Sequence, residues 1–126
     1  MNYKAFAFDR DGTVTWGNPP GPIKKEYLLE LRKLGYDIGG SGGQLPEEQY
    51  SNWGKQGIKP DFAVFKGDLA TLKNKYNSVT HVGDDVTDRQ VAQKARFDYM
   101  TPEGFVMWIR KKMAKKYLKK KANGNF

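Results

Sequence analysis

Two short acidic stretches carry most of the chemistry this chain can attempt. "FAFDRDGTVT" sets Asp9 and Asp11 directly after an apolar run, and "VGDDVTD" sets Asp84, Asp85 and Asp88 after another. Carboxylates repel at short range, so acids converging on one point call for a cation between them. The chain has no cysteine and a single histidine, His81. Thiolate nucleophiles, disulfides and Cys/His zinc sites are therefore excluded, and any metal must be held by oxygen. Of the hard cations, magnesium suits a few carboxylates completed by phosphate oxygens of a substrate.

Two acids one residue apart also divide labour. One can attack phosphorus to give an aspartyl phosphate, while the other protonates the leaving oxygen and later activates water. Two further stretches supply the remaining parts of such a site. Lys66 offers a compact cation to balance nucleophile and phosphate. Ser41, in "GGSGGQ", offers a hydroxyl, and the backbone N–H groups around Gly42 and Gly43 can approach phosphate oxygens closely.

Positioning these groups requires strands that end together. "YKAFAF" reads as a buried strand, "YDIGGSGGQ" as a weak one, "DFAVF" (61–65) as a third, "SVTHV" as a fourth and "FDYM" as a possible edge. Helices are predicted between them. "KKEYLLELRKLG" places Tyr27, Leu28, Leu31 and Leu34 at helical spacing with Gly35 as a stop, and "LPEEQYSNWGKQG" opens on Pro46. "GDLATLKNKY" sets Leu69, Leu72 and Tyr76 on one face, "DRQVAQKA" is helical, and "PEGFVMWIRKKMAKKYLKKK" closes the chain. "GNPPGP" (17–22) is a loop. Alternating strands and helices predict a single doubly wound parallel α/β sheet, in which sites form beyond the carboxyl ends of the strands. Each acidic, glycine-rich or lysine cluster falls at such an end.

"FDRDGT", the Ser41 turn, a lysine before a helix and "VGDDVTD", in that order, resemble the haloacid dehalogenase superfamily of phosphatases. The likeness spans roughly residues 3–100. It implies a Rossmann-like core and Mg2+-dependent hydrolysis of a phosphomonoester. Asp9 matches the family's nucleophile, and Asp11 its general acid/base, which also marks the phosphatase branch. Asp84 matches a direct magnesium ligand, joined by the Asp9 carboxylate and the Asp11 backbone carbonyl. Asp88 completes the GDxxxD pattern, and Asp85 is an extra acid that binds through water or supports the shell. Ser41 and Gly42 match the phosphate-binding turn. Lys66 is preferred as the family's lysine because "DFAVF" then supplies the strand before it; Lys59, next to Pro60, competes. Residues 14–40 and 42–65 are too few for a cap domain, which implies a capless member whose open site admits bulky phosphoesters or is covered by a neighbour in a homo-oligomer. A small sugar or nucleotide phosphate and a phosphorylated nucleic-acid end are the substrate classes expected.

Charge divides the chain at about residue 104. Residues 105–126 hold eight basic side chains and no acid, while residues 1–104 are balanced at 14 of each sign, so the tail carries the whole net charge of +8. Core and basic tail are accordingly read as 1–104 and 105–126, the tail being either part of the same domain or an extension of it. Phe105, Ile109, Met113 and Tyr117 step by four, so the tail can dock an apolar stripe with its lysines in water, bind nucleic-acid phosphates, or lie on an anionic membrane. No long apolar stretch occurs, and acids appear by residue 9, so a soluble cytoplasmic protein is expected. His81 reads as a packed or hydrogen-bonded core residue, and Trp16 either lines the mouth of the site or anchors its loop. Two other classes share some of these features: a receiver-like domain that accepts phosphate on an Asp, and a nucleic-acid-binding protein on a degenerate phosphatase body.

Overall fold

The computed structural model describes residues 3–122. The chain runs β1 (Lys4–Phe8), α1 (Lys25–Lys33), β2 (Asp37–Gly40), α2 (Pro46–Lys55), β3 (Phe62–Ala63), a 3-10 segment (Lys66–Asn74), β4 (Ser78–Val82), α3 (Val86–Ala95), β5 (Asp98–Met100) and α4 (Pro102–Ala122). The five strands form one sheet in the order β3-β2-β1-β4-β5, and every pairing is parallel. This is an α/β fold with an all-parallel sheet, an arrangement compatible with a Rossmann-like fold. β1 lies in the centre, and the chain order reverses beside it.

Strand alternation sorts side chains onto two faces. Phe6 and Phe8 of β1 meet Ile38, Leu28, Leu31, Trp53, Phe105 and Ile109 on the face covered by α1, α2 and α4. Ala5 and Ala7 meet Phe62, Leu69, Leu72, Tyr76 and Val79 on the face covered by the 3-10 segment and α3. Small residues point to the second face, where the nine-residue 3-10 segment packs, whereas the first face holds an aromatic cluster. Phe8 and Phe105 pack edge-to-face at 5.2 Å, and Phe6 lies 5.3 Å from Trp108.

β2 is stronger than its sequence suggests. "DIGG" reads as weak because two glycines lower strand propensity, yet the glycines are what let neighbours close in. A β-carbon at Gly39 would overlap Phe62, and one at Gly40 would overlap the Gln49 amide. β3 is correspondingly shorter than the predicted 61–65, since only Gly39↔Phe62 and Gly40↔Ala63 pair. The Asp61 carboxylate takes the Ile38 N–H just before it, at 2.9 Å. The helix predicted after Gly67 forms as a 3-10 segment with a break at Asp68.

α4 starts at Pro102, so its first turns belong to the core: Phe105 and Ile109 are fully buried. The apolar stripe ends at half-buried Met113, and Tyr117 is 59% exposed. The boundary predicted at residue 104 thus marks a change of charge and not of packing. No described helix is long and apolar enough to cross a membrane.

Candidate active site at the carboxyl edge of the sheet

β1 delivers Asp9 to the carboxyl edge, where its N–H donates to the Val82 carbonyl of β4. β4 delivers Gly83 and Asp84, and α3 opens with Asp85 as its N-cap. Asp85 Oδ1 accepts the Asp88 N–H at 2.9 Å, and Asp88 Oδ2 accepts the Asp85 N–H at 3.2 Å, a reciprocal capping box. That geometry turns Asp88 inward, where it is fully buried, and leaves Asp85 exposed at the helix start.

Asp9, Asp84 and Asp88 each present an oxygen within 4.8 Å of the others. Two glycines make this convergence sterically feasible. A β-carbon at Gly12 (φ +70°) would overlap the Asp84 carboxylate, and one at Gly83 would overlap that of Asp88. An all-oxygen set of this kind can hold a hard divalent cation. Asp88 is the least free of the three, because its Oδ1 already accepts from two donors. Asp85 stands outside the group, its carboxylate engaged with the helix cap.

Those two donors are Lys66 and His81. Lys66 Nζ lies 3.0 Å from Asp88 Oδ1 and 3.5 Å from Asp9 Oδ2. His81 Nε2 lies 2.8 Å from the same Asp88 oxygen, and His81 Nδ1 lies 3.0 Å from Ser41 Oγ. A carboxylate only accepts, so in a neutral ring Nε2 donates and Nδ1 accepts the Ser41 hydroxyl proton. Ser41, His81 and Asp88 are all fully buried. The residues therefore form one chain, Ser41 to His81 to Asp88 to Lys66 to Asp9, along the edge of three strands.

Burial raises the Asp9 carboxyl to about 6, reinforced by the Asp88 charge and opposed by Lys66. Asp88 moves the other way: burial works against its charge, but the hydrogen bonds from His81 and Lys66 outweigh it and lower the pKa. Burial also works against the Lys66 charge, yet the bond to Asp88 and the Asp9, Asp88 and Asp85 charges raise its pKa. Asp84 is raised by burial and by Asp85 and Asp88. One ammonium thus faces several acids.

The other predicted residues are placed less simply. The Asp11 carboxylate is turned onto Arg10, with Nε at 2.8 Å and Nη2 at 3.3 Å, and accepts the Asn18 N–H at 2.8 Å. The Arg10 bond comes first in holding its pKa low. Ser41 does not face the acids: its N–H donates to the Phe8 carbonyl at 2.9 Å and its hydroxyl goes to His81. Both groups expected beside a phosphate at Ser41 are thus engaged within the protein in this structure. The Gly42 N–H reaches Gln49 Oε1 at 3.4 Å, and a β-carbon on Gly42 would lie 3.1 Å from Asp9 Oδ1, so this glycine keeps the space beside Asp9 open. Lys59 is exposed and distant in the fold, its carbonyl accepting from Arg32 at 2.6 Å beside β3. Lys66 is the lysine that meets Asp9.

The proline-rich loop folds back over "DRDGT". Gly12 N–H donates to the Pro19 carbonyl at 2.7 Å, and Val14 bridges Ile23. Trp16 anchors this loop against Trp53, ring centroids 5.9 Å apart. Its buried indole N–H has no partner and borders a cavity of about 10 Å³ that Arg10, Gln44 and Asn52 also line, about the size that one water fills.

His81 is the residue whose part was least legible. "SVTHV" gave only its place on a buried strand; its two partners lie 40 positions upstream and 7 downstream. Comparison with protein-family models, with curated proteins and with solved structures finds no match to this chain.

Proposed function

We propose that this chain is a Mg2+-dependent phosphomonoester hydrolase that works through an aspartyl phosphate on Asp9, on a haloacid dehalogenase-like core. The observation that carries this reading is the convergence of Asp9, Asp84 and Asp88 within 4.8 Å at the carboxyl edge of a parallel sheet, with Lys66 3.5 Å from Asp9. Asp9 and Asp84 are the residues that would hold the metal, with Asp88 behind them. Magnesium bound there supplies charge neutralisation for a carboxylate that must meet a phosphate.

The remaining steps belong to the chain's own groups. An Asp9 oxygen attacks phosphorus, the bond to the ester oxygen breaks, and the leaving alkoxide takes a proton from Asp11. Water then attacks phosphorus and gives its proton to Asp11, and the bond to Asp9 breaks to release phosphate. Lys66 offsets the negative charge of Asp9 and the transferring group throughout, held in place by Asp88. Gly42 leaves room beside the attacking carboxylate. Small sugar or nucleotide phosphates and phosphorylated nucleic-acid ends are the substrate classes this open edge suits.

A receiver-like role is the second reading, favoured by one observation: Asp11 is clasped by Arg10 and kept ionised. An aspartyl phosphate that Asp11 does not help to hydrolyse would persist. One experiment separates the two. Hydrolysis of an aryl phosphate with magnesium, lost in Asp9→Asn, supports the hydrolase. Stable, Asp9-dependent phosphorylation without turnover supports the receiver-like role. Turnover unchanged in Asp9→Asn would refute both.

A further inference from the structure

The outer half of α4 lies far from the site just described. α4 begins beside the carboxyl edge, directly after β5, and runs back along α1. Glu30, in the last turns of α1, pairs with Lys116 at 2.9 Å. α1 leads down to the opposite edge of the sheet, where β2 starts, so residues 117–122 lie at or past that edge. At about 1.5 Å per residue, Lys119 and Lys120 sit on the order of 25 Å along the helix from its start.

This outer half is charged all round. Arg110, Lys111, Lys112, Lys115, Lys119 and Lys120 are exposed, and residues 105–126 include no acid. Lys116 ties the helix to the body through its pair with Glu30, and Lys112 lies over the ring of Trp108, one turn back on the same helix, at 5.5 Å. Helices that lie on membranes need a broad apolar face opposite their lysines. Here Arg110 and Lys121, three turns apart and in line, run between the exposed Tyr117 and Leu118 and interrupt any such face. A helix charged on every side instead matches a ligand that presents negative charge on several sides at once. The groove of a duplex does this, with a phosphate wall on each flank and a width that admits one α-helix.

We propose that the outer half of α4, centred on Lys115, Lys119 and Lys120, is a docking surface for the phosphate backbone of double-stranded DNA, separate from the Asp9 edge. The surface attaches the protein to a polyanion and leaves the Asp9 edge open to other ligands. This proposal stands apart from the phosphatase reading, and its test needs no turnover.

The test uses the full chain and a fluorescently labelled 20-base-pair DNA duplex without terminal phosphates, followed by anisotropy across salt concentrations. About four phosphate contacts predict binding that weakens on the order of 100-fold between 50 and 200 mM salt. The Lys115→Gln, Lys119→Gln, Lys120→Gln triple variant should bind at least about tenfold more weakly at 50 mM, with the salt slope shallower by about three. It should keep the wild-type melting temperature, because these side chains are exposed. Absence of duplex binding at 50 mM salt, or binding that the triple variant leaves intact, overturns the proposal. So does stronger binding to phosphatidylserine vesicles or polyglutamate than to the duplex.

Discussion

His81 Nε2 lies 2.8 Å from Asp88 Oδ1 in a pair that solvent does not reach on either side. The same imidazole takes the Ser41 hydroxyl, so one ring joins β2, β4 and α3. Removing it leaves a buried carboxylate and a buried hydroxyl short of a partner. His81→Leu should cost about 3 kcal/mol of stability, measured by urea unfolding. A loss below about 1 kcal/mol would show that the ring does not hold the three elements together.

Lys66 is the cation that Asp9 and Asp88 share. Lys66→Ala should lower magnesium-dependent aryl phosphate turnover on the order of 100-fold, as loss of a preorganised electrostatic group does. Lys59→Ala should leave turnover within about twofold, because that side chain is exposed and its carbonyl bond to Arg32 does not depend on it. Steady-state kinetics on the two variants decides which lysine belongs to the site. Equal losses would remove Lys66 from it.

Glycines at the acidic edge hold open the space that carboxylates fill. Gly12→Ala places a methyl group on the Asp84 carboxylate and forces φ +70° on a residue with a β-carbon. It should abolish the rise in melting temperature that magnesium gives the wild type. Gly43→Ala, where nothing lies within 4 Å, should leave that rise intact. Thermal unfolding with magnesium or with chelator reads both. A full magnesium response in Gly12→Ala would mean that Asp84 does not hold the ion.

The pattern of elements could be read from the sequence, because buried strands and amphipathic helices announce themselves by period and punctuation. The acids were legible for the same reason: they stand where strand signals stop. Three features were not. "DIGG" hid a central strand, because its glycines answer to Phe62 and Gln49, which are distant in sequence. Ser41 looked available in "GGSGGQ", but the histidine that its hydroxyl bonds lies 40 positions away. Arg10 looked like a spacer between two acids, and only the folded loop turns it onto Asp11. Local propensity carries no information about which groups the folded chain brings together.

Tyr76 sets a limit at the alkaline end. Its hydroxyl donates to Asp37 Oδ2 at 2.6 Å, and burial first, then this bond and the carboxylate charge, raise its pKa. A folded pKa above the unfolded one means stability that is fully present below about pH 10 and declines as pH rises beyond it. The wild type should therefore lose stability above pH 10 through this group. Tyr76→Phe should be less stable by about 1–2 kcal/mol at pH 7 and show a flatter alkaline limb. Parallel curves for the two proteins above pH 10 would contradict this.

The clasp of Arg10 on Asp11 bears on how long a phosphoryl group stays on Asp9. An ionised Asp11 held by two guanidinium nitrogens and the Asn18 N–H cannot protonate a leaving group, and its oxygens are engaged and not free to take a proton from water. Turnover then requires the clasp to open, and opening becomes part of the barrier. Arg10→Gln should shorten the lifetime of phosphorylated Asp9, whereas Asp11→Asn should lengthen it on the order of 100-fold by removing the base altogether. Trapping the phosphorylated protein from a labelled acyl phosphate donor and following its decay measures both. If Arg10→Gln instead lengthens the lifetime, Arg10 serves to hold Asp11 in its working position, and the clasp is part of the active arrangement.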